Sequence, residues 1–188
     1  MHRPEVHRVP AEGLRRFFAR LVRPSFAALG LGHGEVAEYV TDLLTRFART
    51  DQLYRVRDAR GRPLDTIAEM LIELMRAWGA GGPSYRFDRE IEIRRHCGDY
   101  ALFMSGVFRP HVEGDSLLSY YLTEGERSYH TVAARMGLLH DREAAVYRAL
   151  AADFEHLSGA LDYMRKVYMH PDLHEGPYRE VLRSFGLN

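Results

Sequence analysis

The spacing of apolar residues constrains this chain more than any other feature. Val36, Tyr39, Val40, Leu43, Leu44 and Phe47 recur three and four residues apart, with Glu35, Glu38, Asp42 and Arg46 off the stripe. Side chains advance by about 100° per residue in an α-helix, so this pattern is one helical face and not the two-residue alternation of a strand. Leu14, Phe17, Phe18, Leu21 and Val22 repeat it, and Pro24 is expected to end that helix. A third periodic segment begins near Asp65 and stops at Gly79. Its polar positions Asp65, Glu69, Glu73 and Arg76 lie on one narrow stripe, and the rest of its surface is largely apolar. A helix of that kind belongs in the middle of a bundle or at a subunit interface.

The second half reads the same way. A fourth helix is expected from about Phe87 to Phe108, stopping before Pro110. Asp115 or Ser116 is placed to cap a fifth, and "SYHTVAARMG" either continues it or forms a separate helix after Gly125. Asp141 is placed to cap the longest element, residues 142–168, with Val146, Leu150, Phe154, Leu157, Leu161, Met164 and Tyr168 along one seam. At ~1.5 Å per residue this would be a rod of about 40 Å. Pro171 ends it, and "PYREVLRSF" suits a short closing helix. "GLGHG" and "GAGGPS" connect helices, residues 50–63 are turn-rich, and "LYRVRD" is the one short extended candidate. The fold class expected is all-α: a helical bundle of about six or seven helices in a single domain spanning 1–188. Residues 1–12 are expected to form a flexible arm, and 171–188 a short C-terminal helix and tail.

A chain of 188 residues can bury a full core. Its 26 basic and 26 acidic residues balance to zero, which removes the electrostatic footprint of a general nucleic-acid or anionic-membrane binder. What basic clustering there is falls on His2, Arg3, His7 and Arg8, ahead of Arg15 and Arg16. The single cysteine, Cys97, excludes an intramolecular disulfide and a Cys-rich zinc site, and fits a reducing, cytoplasmic location. No run approaches ~18 apolar residues, so no membrane span is expected, and no apolar signal core precedes Arg15.

The stretch "RRHCGDYALFMSGVF", Arg94 to Phe108, is the candidate site. On a helix, Cys97, Ala101 and Ser105 form one line of small residues, and Gly98, Leu102 and Gly106 the next. Each interior glycine costs ~1 kcal/mol relative to alanine, and close packing is the simplest compensation. Asp99 lies four residues after Arg95 and three after His96, and Tyr100 four after His96. The plain reading is an Arg95–Asp99 pair, or Asp99 capping a neighbouring helix. The reactive reading is a His96–Asp99 dyad for proton transfer or metal ligation.

His96, Gly98, Asp99, Tyr100, Leu102, Phe103, Gly106, Phe108 and Pro110 give the block a second meaning. It resembles a family of uncharacterised bacterial helical proteins with a His-x-Gly-Asp-aromatic-x-Leu-Phe core followed by Gly-x-Phe-Pro. The departure is Arg109, between Phe108 and the proline. The similarity extends weakly from about Val36 to Met164. It implies a helical fold and supplies no catalytic assignment.

Other constellations are thinner. No histidine has a glutamate three residues before it, as carboxylate-bridged iron bundles require. Asp153–His156 is the single carboxylate-x-x-His match, a weak metal candidate. Haem or iron is the alternative cofactor reading, with His96, His130, His140 and His156 as axial candidates, but none is expected. His170 and His174 in "HPDLH" suit only adventitious metal binding. Neither a Gly-x-Ser-x-Gly elbow nor a phosphate-cradling Gly-rich loop ending in lysine occurs. The expected function is therefore a non-catalytic interaction or accessory protein that self-associates, through helix 65–78 or 142–168, with a protein partner as the variant. The alternatives are a ligand- or metal-binding bundle, an oxidoreductase using His96, Asp99 and His130 in its interior, and a nucleic-acid-associated regulator.

Overall fold

The computed structural model describes residues 9–31, 34–49, 56–79, 87–137 and 141–184. Over these residues the chain is all-α: α1 (Ala11–Ala28), α2 (Gly34–Phe47), α3 (Ile67–Gly79), α4 (Phe87–Gly106), α5 (Arg109–Gly114), α6 (Leu118–Met136), α7 (Asp141–Ala152), α8 (Phe154–Tyr168) and α9 (Pro177–Ser184). A 3-10 turn, Pro171–Leu173, lies between the last two. The one extended feature among the described residues is an isolated antiparallel bridge between Arg57 and Pro63. "LYRVRD" thus contributes only its end to that bridge, because residues 50–55 lie outside the described residues.

α4 is the helix around which the others pack. It makes its largest contact with α6 and further contacts with α8, α3 and α5, while α1 lies on α2 and α8, and α6 on α7. From His96 to Phe103 every residue of α4 is buried. A helix stretch covered on all sides has no solvent face to carry its polar residues, so they are buried with the apolar ones. α2 is the opposite case, with Val36, Val40, Leu43, Leu44 and Phe47 buried as one face.

Several boundaries differ from the sequence-based expectation. α1 runs through Pro24 to Ala28 instead of ending there. Proline removes one donor from the helical ladder, but the following turn is held by burial of Ser25 and Phe26. The true end is a Schellman closure: Leu31 N–H donates to Phe26 O at 2.9 Å and Gly30 N–H to Ala27 O at 3.2 Å. Gly30 takes the left-handed φ of 71° this closure requires. Ala11 and Glu12 of the expected arm belong to α1, and residues 1–8 lie outside the described residues.

α4 ends at Gly106, two residues short of Phe108 and before Pro110 as expected, and Pro110 sits in the first turn of the short α5. A proline there lacks a donor that would have no intrahelical acceptor anyway. Neither Asp115 nor Ser116 caps α6, whose N-cap is Leu117 with no side-chain cap bond. α6 is continuous through Gly125, which faces Phe154: a Cβ there would come within 2.0 Å of the Phe154 ring.

The 40 Å rod is not formed. Residues 141–168 are two helices that meet at Asp153, with φ −106° and ψ 18°. The bonds on either side survive, Asp153 N–H to Ala149 O and Leu157 N–H to Asp153 O, so the interruption is one residue wide. The apolar seam Leu150, Phe154, Leu157, Leu161 and Met164 is buried across it. A helix does begin near residue 141 and another closes the chain at 177–184.

Two glycine substitutions should separate packing from propensity. Gly125→Leu is expected to lower stability by at least ~2 kcal/mol in urea unfolding, since Phe154 would have to be displaced from the core. Gly159→Ala in α8, where an added Cβ meets nothing within 4 Å, is expected to be neutral or to stabilise by up to ~1 kcal/mol.

Candidate functional site

The candidate block turns every polar side chain of its middle inward. Asp99 is completely buried, and each carboxylate oxygen is used. Tyr39 Oη donates to Oδ1 at 2.6 Å, and Tyr129 Oη donates to the same oxygen at 2.8 Å. Arg46 Nη2 donates to Oδ2 at 2.9 Å as an ion pair. The partners come from α2 (Tyr39, Arg46) and α6 (Tyr129), so one carboxylate joins three helices.

A fourth helix enters through Tyr147 of α7. Its ring meets Tyr39 edge-on at 5.5 Å and lies 5.9 Å from that of Tyr129. The Arg95 guanidinium lies 5.6 Å above the Tyr147 ring. Arg95 is thus not the ion-pair partner of Asp99: it spends its charge on an aromatic face while Arg46, 53 residues away, takes the carboxylate. Asp99 does not cap a helix either, and in place of the alternative His96–Asp99 dyad it accepts hydrogen bonds from two tyrosines. His96 is fully buried, with its ring 5.8 Å from that of Phe47.

A buried ionised carboxylate costs several kcal/mol unless paired and hydrogen-bonded, and two phenols and a guanidinium meet that cost here. The same burial acts on the phenols. Burial, then the negative charge of Asp99, holds the Tyr39 and Tyr129 hydroxyls well above the usual tyrosine value of 10. The cluster therefore holds the carboxylate between two neutral phenols and one guanidinium. Both donors to Oδ1 are poor acids at neutral pH, which does not suit them to proton transfer.

The remaining candidates separate from one another. Tyr100 is buried, and its ring is 6.2 Å from Tyr121. His130 is exposed on α6, because its neighbour Tyr129 points inward and the next residue on a helix turns about 100° away. It shares a surface hollow with Thr123, Glu126, Arg127 and Thr131. An interior site built from His96, Asp99 and His130 is thus not assembled. Asp153 occupies the junction of α7 and α8, and His156 is exposed. His140 lies outside the described residues. Among the described residues no three His, Cys, Asp or Glu side chains gather in a way that would hold a metal ion.

The small residues line contacts. Gly98 faces Tyr129, where a Cβ would come within 2.7 Å of the ring, and Gly106 faces Leu161 at 2.5 Å. Ala101 is fully buried beside them. Ser105 is tied to α8 through Ser158, whose hydroxyl donates to Ser105 Oγ at 2.9 Å. Arg109, the departure from the resembled motif, has a role here: its Nε donates to the Ser105 carbonyl at 3.1 Å and its Nη2 to Ser158 Oγ at 3.0 Å. A cation on the last carbonyls of α4 is favoured by the helix dipole. Burial pushes the Cys97 thiol up to about 11, against the nearby Ser128 hydroxyl and the charge of Arg94. A thiol in that state is an inert packing group.

Sequence reasoning missed Tyr39, Arg46, Tyr129 and Tyr147 as the partners of Asp99. One signal was present: Tyr39 and Arg46 are seven residues apart, about two helical turns, and so project from the same side of α2.

Asp99→Ala is expected to lower stability by about 3 kcal/mol, and Tyr129→Phe by about 2 kcal/mol, in chemical unfolding followed by helical circular dichroism. A pH prediction follows from the phenols. Their folded values lie above 10, so their contribution is fully present below pH ~10 and is lost as pH rises past it. Titration at 295 nm should show Tyr39 and Tyr129 ionising only together with alkaline loss of helix.

Compared with protein-family models, curated proteins and solved structures, the chain finds no match, so its chemistry is read from its own residues.

Proposed function

We propose that this protein is a non-catalytic interaction or accessory protein, a single helical bundle that self-associates through α3. The observation that supports this is the outer face of α3. Ile67, Met70 and Leu74 are buried against the rest of the chain, yet Ala68, Ile72 and Met75 form a second apolar line on the opposite side. Ile72 is 41% and Met75 59% exposed. The helix is started by a capping box in which Glu69 accepts from the Thr66 backbone and Thr66 Oγ1 from the Glu69 backbone. It needs no partner to form.

The surroundings of the line suit a two-fold contact. Ile72 borders a hollow formed with Asp58, Arg62, Pro63, Leu64, Glu69 and Arg76, so the apolar centre has a charged rim. Glu69 and Arg76 flank Ile72 at three and four residues. Antiparallel pairing of two α3 helices across a two-fold axis would set Glu69 of each copy opposite Arg76 of the other. The inward closure of the Asp99 cluster supports the non-catalytic part of the reading. No helix of the described chain is long and apolar enough to cross a membrane.

One helix face buries less than a standard interface, so the expected affinity is on the order of micromolar. Light scattering coupled to size exclusion should show a dimer at tens of micromolar that dissociates on dilution. Ile72→Glu combined with Met75→Glu should give a monomer with unchanged helix content. A wild-type monomer at millimolar concentration would overturn the reading.

A further inference from the structure

A second surface feature lies away from α3 and does not rest on the self-association reading. Arg15, Arg16, Arg20 and Arg23 of α1, with Ala19, Pro24 and Tyr178 of α9, line a hollow of about 800 Å³. That volume is in the range of small-molecule sites, and four of the seven lining residues are arginines with no acid among them. We propose that this hollow binds a compact polyphosphate anion: a di- or triphosphate group gripped by guanidinium donors.

The arginines are arranged for it from behind. Glu38 and Asp42 project from α2 and hold two of them: Arg15 donates from Nε to Asp42 at 2.6 Å and from Nη2 to Glu38 at 2.5 Å, and Arg23 donates from Nη2 to Glu38 at 2.7 Å. These bonds fix the forks and leave Nη1 of Arg15, and Nε and Nη1 of Arg23, available as donors. Fixing an arginine in advance removes the side-chain entropy it would otherwise lose on binding. The other two supply the uncompensated charge. Arg20 has no hydrogen bond or ion pair among the described residues, and Arg16 has only a long, exposed contact of 3.9 Å with Glu12. Arg16, Arg20 and Arg23 follow one another at four and three residues and share a face.

Tyr178 closes one wall. Its ring is stacked on Phe17 at 4.7 Å and 13°, which holds the end of the chain against α1. The basic line from Arg16 to Arg23 is about 10 Å long, the reach of two or three linked phosphates. That shortness, and the zero net charge of the chain, favour a compact anion over a nucleic acid, whose binding surfaces track a run of backbone phosphates.

The test is titration calorimetry of the full chain at low salt with tripolyphosphate, pyrophosphate, ATP, orthophosphate and a single-stranded oligonucleotide. The expected result is saturable one-site binding of tripolyphosphate, weaker for orthophosphate and lost at high salt. Equal affinity for ATP would identify the phosphates alone as the recognised group, and tighter ATP binding would identify a nucleotide as the source. Arg16→Ala combined with Arg20→Ala should weaken tripolyphosphate binding at least tenfold with no change in melting temperature, since both side chains are exposed. Three results would overturn the proposal: no saturable binding, binding unaffected by the double substitution, or a length-dependent preference for the oligonucleotide over tripolyphosphate.

Discussion

The buried carboxylate of Asp99 is the interaction on which the rest of the arrangement depends. Apolar contacts are forgiving, because a leucine seam tolerates small slides and rotations of one helix on another. A carboxylate at zero exposure is not, because an oxygen that loses its donor loses solvation as well. Tyr39 and Arg46 must therefore face α4 from α2, and Tyr129 must face it from α6, in one register. Tyr147 then adds α7 to the same cluster. Gly98 belongs to this logic: it leaves the space against α4 that the Tyr129 ring fills on its way to Asp99, one residue further along.

The pairing also decides what the block is for. A histidine, a cysteine, an aspartate and two arginines in six residues look reactive on paper. In the fold Asp99, Arg95, Cys97 and His96 are each committed to something else. Asp99 is saturated by donors, Arg95 covers Tyr147, Cys97 is a buried neutral thiol, and His96 lies against Phe47. The open charge sits elsewhere, on the outer faces of α1 and α3, where side chains reach water and other molecules.

The parts that were legible in the sequence are those governed by local periodicity. The stripe of α2, the apolar surplus of α3 and the helical character of 87–106 all follow from spacing within a few turns. The parts that were not legible depend on contacts across the chain. Asp99 finds its donors 60, 53 and 30 residues away, and nothing in a single sequence ranks Arg46 above Arg95, one helical turn before it, as its partner. The break at Asp153 was hidden for a different reason. The apolar seam passes through it in register, so the pattern is the same for an interrupted helix as for a continuous one. Pro24 misled in the other direction, because a lost donor matters less than the burial of Phe26 two residues later.

The placement of acidic residues links the interior to the surface of α1. Glu38 and Asp42 belong to the same helix as Tyr39 and Arg46, on an adjoining line of its surface, Asp42 one turn before Arg46. α2 therefore points donors inward to a carboxylate and carboxylates outward to the arginines of α1. Its rotation about its own axis is fixed by both sets at once. Turning α2 by even one residue's angle, about 100°, would strand Asp99 and release Arg15 and Arg23 together. The orientation of the exposed guanidinium forks is thus set by the same hydrogen bonds that hold the core, and an anion arriving at α1 meets donors already aimed by the fold.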